Sequence, residues 1–516
     1  MNEMISSYIA QFSLPFFFYQ LLVIAALFAL GYLVNLALCA GRTGLFEVIL
    51  AFPAGVSVYT LLSFVILMAG LPFNRIIISC LLVLVAAICV MAVIRYGDKA
   101  FLGTLSKREV LTCLTAVLCI AALSVSGLLA VSVSNDSLYY YSMYPRAIAG
   151  YGYFRAQFDV FLTDVGPASA IMNTLPFIYG FNESFGIQTF LGINTSVAVA
   201  YALYVQAGKR LDKKKAALVT GVLLLLLLSS QPYLIMLKWM MSNGCFMCFI
   251  FLTAYTLYHY EGILDETDER IRRGWLIIAS MLFLHMSMLR MEGIMVALIL
   301  LACFIPFKYK NRELLTAFAI PLGVCALVYS IRVFLILKVD APYTFLTPKK
   351  ALVQLAAIGL VMIYLFFVRG RKWDIAGKNI RIVLPGLLVL VNLALFVYDR
   401  SLYLANLKAF AGNISNRSGW GLFPMLILAA YILVFTVSFG KKKDKPFMTY
   451  WDMCFVSYLL AALAVCFARE GALRENIGDS GNRVLMQATI LAFMAAAIHL
   501  IDLVEGGSDT FSPEPK

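Results

Sequence analysis

The 516-residue chain is 62% hydrophobic and 13% charged, with a mean hydropathy of +0.88 and a formal net charge of +13. A soluble domain is about 45–50% apolar and about 25% charged, so a globule dissolved in water is excluded. A positive balance often points to nucleic acid, but here Lys and Arg collect in short loops between apolar runs, where they mark membrane topology and imply no nucleic-acid partner.

Crossing a hydrocarbon core takes about 20 consecutive apolar residues. In chain order, such runs cover 16–40, 46–70, 76–94 and 110–133, then 187–207, 216–229 and 243–259. After a longer stretch come 314–338, 351–368, 382–398, 422–439, 450–468 and 484–504. The stretch 275–307 is too long for one span and is broken by Arg290 and Glu292. Arg270, Arg272 and Arg273 precede it and Lys308, Lys310 and Arg312 follow it. Both flanks then belong on the cytoplasmic side, and the number of crossings between them is even. Two short spans with Arg290-Met291-Glu292-Gly293 at the outer tip fit this; a re-entrant pair is the alternative. The expectation is an all-α, polytopic transmembrane helical bundle of about fifteen spans. Its organisation is 1–133 N-terminal transmembrane helices, 134–186 an external loop with interfacial helices, 187–504 the remaining helices of the same membrane domain, and 505–516 a disordered cytoplasmic tail.

Basic loops set the orientation. Arg95, Lys99, Lys107 and Arg108 lie in one, and Lys209, Arg210, Lys213, Lys214 and Lys215 in a second. Arg369, Arg371, Lys372, Lys378 and Arg381 form a third, and Lys441, Lys442, Lys443 and Lys445 a fourth. All four share a side if the N-terminus is outside and the C-terminus is cytoplasmic. The N-terminal MNEMISSYIAQ has no basic n-region, so the first span is expected to be retained in a multi-pass protein of the cell membrane. The 11 cysteines show no metal or disulfide pattern; Cys245 and Cys248, spaced CFMC, sit in an apolar run and read as packing.

Chemistry is expected in the external segment 134–186. Its tyrosines at 139, 140, 141, 144, 151 and 153 suit the headgroup level, with short helices along the interface. Asp136 follows a span directly. It reads either as a helix N-cap, like its neighbours Asn135 and Ser137, or as a general base at the membrane surface. The basic residues on the outer side, Arg146, Arg155, Lys238, Arg290, Arg417, Arg469, Arg474 and Arg483, run against the inside rule. They pair with Glu292, Glu470, Glu475 or Asp479, snorkel to outer headgroups, or serve a ligand. Asp159, Asp164 and Glu183 share the loop with Asp136, and hard divalent cations take several oxygen ligands; there is no tight DxD spacing, and the metal ligands stay unassigned. Arg332 is an intramembrane charge, a residue type that is by default paired or functional.

The stretches Asn135–Tyr141 and Ala147–Gly150, then Arg290–Gly293, then Gly481–Leu485 opening the last span, resemble the membrane glycosyltransferases of the GT-C superfamily. The likeness extends to one large early external loop among many spans, mannosyltransferase- or arabinosyltransferase-like. It implies a GT-C-like fold and transfer of a sugar from a polyprenyl-phosphate donor to an extracytoplasmic acceptor (a glycan, lipid or protein) with inversion. It implies Asp136 as base and Arg290, Arg483 and Arg474 on the donor phosphate. Tyr139, Tyr140, Arg146, Asp164 and Glu292 would contact substrate, and a divalent cation, Mg or Mn, is an optional cofactor. Other readings are a polysaccharide polymerase or ligase, and a lipid-linked glycan flippase or transporter. A polymerase usually carries its large loop late, and no repeat or paired broken spans mark a transporter.

Overall fold

The computed structural model describes residues 14–39, 44–96, 139–158, 161–181, 186–238, 241–262, 268–305, 311–339, 345–367, 371–415, 419–441, 448–467, 474–475 and 479–505. Every regular element among them is helical. In chain order these are α1 (Leu14–Leu38), α2 (Leu45–Ile49), α3 (Ala51–Ala69) and α4 (Arg75–Tyr96). The early segment holds α5 (Tyr144–Tyr151), α6 (Pro167–Ile171) and α7 (Thr174–Ile178), with π-helical turns at Tyr139–Met143 and Phe161–Val165. Next come α8 (Gly186–Gly208), α9 (Lys213–Ser229), α10 (Gln231–Lys238), α11 (Ser242–Gly262), α12 (Glu269–Leu289) and α13 (Gly293–Phe304). A composite helix joins α14 (Asn311–Leu314), a π-turn, α15 (Ile320–Ser330) and a second π-turn, Ile331–Ile336. The chain closes with α16 (Pro348–Phe367), α17 (Arg371–Tyr398), α18 (Arg400–Ile414), α19 (Phe423–Lys441), α20 (Tyr450–Phe467), α21 (Ser480–Met486) and α22 (Thr489–Glu505).

Ten helices among the described residues are long and apolar enough to cross a membrane, or eleven counting α9 and α10, which bend by 73° at Ser230. Eleven of the fifteen expected spans are matched in this way. Of the rest, 110–133 lies outside the described residues, as do the tail 506–516 and most of the two basic loops at 97–108 and 442–447. The runs 243–259 and 275–307 do fold as helices, but α11 and α12 are too polar to qualify on composition and α13, with 12 residues, is too short. Large apolar side chains stay exposed on the outer helices, Val397 at 82% and Ile94 at 79% among them. Water does not tolerate so much uncovered apolar surface, and lipid does. The chain is a multi-pass helical membrane protein.

The chain forms two compact units, one from 1–197 and 236–380, the other from 198–235 and 381–516. In the first, α1 and α3 touch backbone to backbone. A Cβ on Gly31 would overlap the Ala51 carbonyl oxygen, and one on Gly55 the Leu27 carbonyl oxygen. Small residues give membrane helices this close approach, where lipid supplies no hydrophobic drive to associate.

Contacts also define two opposite ends of this unit. At one, the Arg270 guanidinium lies 5.3 Å over the Tyr96 ring, Arg272 pairs with Glu313 at 3.4 Å, and Gly274 packs on the Leu38 carbonyl. At the other, the Phe73 N–H donates to the Gly152 carbonyl at 2.8 Å, Tyr19 stacks on Phe181, and the Tyr59 and Thr174 hydroxyls bond. Helices α1, α3, α4, α11, α12 and the 311–336 composite each run from one end to the other. Arg95, Arg270, Arg272, Arg273 and Arg312 lie at the first end; the early segment folds over the second, which holds Arg75, Arg146, Arg155 and Arg290.

In the second unit, Arg210 lies 3.9 Å from Asp502 at one end. At the other, the Gln231 amide donates to the Gly419 carbonyl, and Trp420 Nε1 to Asn482 Oδ1 at 2.9 Å.

Candidate functional site

The first unit places Arg290 where α12 stops. Its backbone turns extended (φ −144°, ψ 157°), and the chain re-enters helix at Gly293, with Glu292 in the N-cap position of α13. This puts Arg290-Met291-Glu292-Gly293 at the end covered by the early segment, as the sequence suggested, although α12 is a full 21-residue helix and not a short arm. Arg290 Nε donates to Glu292 Oε1. Its Nη1 donates to Ser242 Oγ at 2.9 Å and to Asn243 Oδ1 at 2.8 Å. The pair is secluded, with side chains 11% and 4% exposed. A guanidinium held by three acceptors keeps one orientation, which an ammonium on a flexible stem does not.

The early segment presses on this turn. Gly166 has φ +119°, and a Cβ there would fall 2.7 Å from Arg290 N and Cα. Only glycine suits both that dihedral and that approach. Pro167 follows and opens α6, a position where its missing N–H costs nothing. Beside Arg290, Pro167, Ser287, Tyr329, Leu346 and Gln354 line a cavity of about 30 Å³. The Gln354 amide donates to the Met291 carbonyl at 3.2 Å, and the Tyr329 hydroxyl to the Leu162 carbonyl at 2.6 Å. The space admits ordered water.

A larger concavity, about 580 Å³, opens over α5 between Ser142, Met143, Arg146, Ala147, Gly150 and Tyr151. Arg146 stands 5.6 Å from the Phe177 ring centroid, so an aromatic face of α7 helps hold it there. Tyr141, one turn earlier, is fully buried, its hydroxyl 3.3 Å from Cys245 Sγ, which in turn faces Gln188 Oε1 at 3.4 Å. Burial pushes the Tyr141 phenol well above its ordinary range, and it stays a neutral hydrogen-bonding group.

Among the other residues singled out in the sequence, Tyr139 and Tyr140 open the first π-turn. Asp164 lies half-buried in the second, where Oδ1 accepts the Phe345 N–H while Leu346 N–H bonds the Thr163 carbonyl at 2.8 Å. Asp164 therefore pins the 345–347 segment to the early loop. Asp136, Asp159 and Glu183 lie outside the described residues. Among the described residues no three His, Cys, Asp or Glu side chains converge on a metal site.

Arg474 and Arg483 belong to the second unit. Asp479 caps α21, accepting from Gly481 N at 2.7 Å and Asn482 N at 3.4 Å. Its other oxygen faces Arg474 Nε at 3.5 Å. The Arg474 side chain is largely exposed, whereas Arg483, one turn into α21, is buried. Arg290 and Arg474 thus each have the carboxylate partner that the pairing alternative requires.

Sequence reasoning missed Ser242 and Asn243, the neutral partners of Arg290. A signal was present: Ser242-Asn243-Gly244 is a polar triplet at the head of an otherwise apolar run. It also missed Gly166, whose Val-Gly-Pro setting marks a forced turn.

No family model and no curated protein matches the chain. Among solved structures it matches the crystal structure of the oligosaccharyltransferase of Archaeoglobus fulgidus, tethered by a disulfide bond to an acceptor peptide with the NVT sequon. The TM-score is 0.44 and the identity 13%, over 78% of this chain and 50% of that one. The match thus spans half the length of that neighbour.

Proposed function

We propose that this protein is a membrane glycosyltransferase of the GT-C type, transferring a sugar from a polyprenyl-phosphate donor to a hydroxyl of an extracytoplasmic glycan, lipid or protein. The observation that carries the reading is the convergence at one end of the first unit. The early segment, with its concavity over Arg146 and Tyr151, closes through Gly166 onto the fixed Arg290–Glu292 turn, away from the end that holds Arg270. The alternation of basic loops in the sequence, read by the inside rule, puts this end of the unit, where the site lies, outside.

In this mechanism the acceptor oxygen attacks the anomeric carbon in line. The bond from that carbon to the phosphate oxygen breaks, its electron pair leaves with the lipid phosphate, and configuration inverts. Asp136 takes the acceptor proton as general base, a contribution of roughly 10²–10⁴ in rate. Charge grows on the leaving phosphate, and oriented guanidinium groups stabilise it most when they need not reorganise. Arg290 is held in that way, and the resemblance of Gly481–Leu485 to the GT-C enzymes suggests the same role for Arg483 and Arg474. Tyr139, Tyr140, Arg146, Asp164 and Glu292 border the substrates in this reading. A divalent cation, Mg or Mn, remains an optional addition near Asp136, and no step depends on it.

The test is transfer from a polyprenyl-phosphate sugar to an acceptor by purified protein in liposomes. Turnover that falls in Asp136→Asn and in Arg290→Lys supports the proposal. A second reading, movement of a lipid-linked glycan without chemistry, draws on the 73° break at Ser230, because broken spans line transport sites. It predicts protected-to-accessible transfer of the intact donor across the liposome wall with no new glycosidic bond.

A further inference from the structure

The intramembrane Arg332 is not absorbed by the mechanism. It sits in the second π-turn of the composite helix, a distortion frequent at functional positions. Its Nε is buried with no hydrogen-bond partner among the described residues. The rest of the guanidinium lies against Gly70, the left-handed cap of α3 (φ +71°). A methyl group there would come within 3.2 and 3.4 Å of the two terminal nitrogens. Leu162 reaches the same helix through Tyr329, so Arg332 stands at the end of the unit covered by the early segment.

The surroundings are those of a lipid-facing surface. Val65 is 62% exposed and Leu335 68%, and Leu71, Ile331 and Ile336 are uncovered as well. An unpaired cation among apolar side chains is costly at membrane depth, and such residues are paired or functional. The carbonyl-rich end of α3 offsets part of that cost through its dipole. At that end the Ile66 and Leu67 carbonyls already receive the Leu71 and Gly70 N–H groups. Lys338, six residues on, adds a second cation at the same helix end and adopts φ +51°, an uncommon backbone state for a residue other than glycine.

We propose that Arg332, seated in the notch left by Gly70, binds the phosphate group of a membrane lipid whose chains lie along Leu335 and Ile336. The planar fork of arginine matches phosphate oxygens, and the apolar rim matches acyl or prenyl chains. The site does not depend on the glycosyl-transfer reading, since either a phospholipid or a polyprenyl phosphate supplies this chemistry.

Native mass spectrometry of the full-length protein, titrated separately with phosphatidylglycerol and with a polyprenyl phosphate, tests it. Arg332→Gln is expected to weaken binding of at least one of the two at least tenfold, with Arg332→Lys intermediate. Gly70→Asn, which tolerates the left-handed backbone but fills the notch, should weaken it too. Loss for phosphatidylglycerol alone assigns a phospholipid, and loss for polyprenyl phosphate alone assigns a prenyl lipid; each supports the site. Wild-type affinity of Arg332→Gln for both lipids, in protein of unchanged thermal stability, overturns it.

Discussion

Arg290 and Glu292 illustrate how two charges coexist in a secluded turn. Neither is bare: the guanidinium has one carboxylate and two neutral oxygens, and the carboxylate accepts from Arg290 Nε at the start of α13. Removing one member of a buried pair strands the other, at a cost of about 3–5 kcal/mol. Glu292→Gln should therefore lower thermal stability in detergent by an amount of that order. Arg290→Lys should be milder in stability but should cut transfer at least tenfold, because an ammonium cannot keep the Ser242 and Asn243 bonds in one orientation. An unfolding midpoint unchanged by Glu292→Gln would mean that the pair is solvated. The charged members of this turn were legible because charges in an apolar run stand out. Ser242 and Asn243 were not, because their role depends on where α11 begins relative to α12, and no local pattern encodes that.

Helices were legible for the same reason that they form. Long apolar runs bounded by charge must satisfy their backbone internally, and a helix does so. Which helices lie inside was not legible, since every face of a membrane helix is apolar. α3 is mostly buried, whereas α4 buries only Ile78 and Cys89, yet both are long apolar helices of similar length. The glycines carry that information: Gly55→Leu would force α1 and α3 apart, with a loss of at least about 1–3 kcal/mol expected from overpacking. A thermal midpoint equal to wild type would contradict the backbone contact. At α21, Asp479→Ala should cost roughly 1 kcal/mol by removing the cap, while Asp479→Asn should cost little. The early segment was read only as interfacial helices. Its π-turns have no sequence period, and Gly166 fits there only because Arg290 packs on it from far along the chain.

For the whole molecule, the alternation of basic loops predicts an outside N-terminus and a cytoplasmic C-terminus. That orientation makes the early segment external. A membrane-impermeant maleimide added to intact cells should label Tyr153→Cys, which is exposed on that segment, and miss Lys214→Cys until the membrane is opened. The reverse order of labelling would place the site on the cytoplasmic side and remove it from an external donor. Catalysis is the central claim, and the measurement that reaches it most directly is glycosyl transfer from a polyprenyl-phosphate sugar by Asp136→Asn protein at wild-type abundance. Asn caps a helix about as well as Asp but cannot accept a proton as a base. Turnover is predicted to fall by roughly 10²–10⁴ with donor binding retained; turnover near wild type would contradict the account.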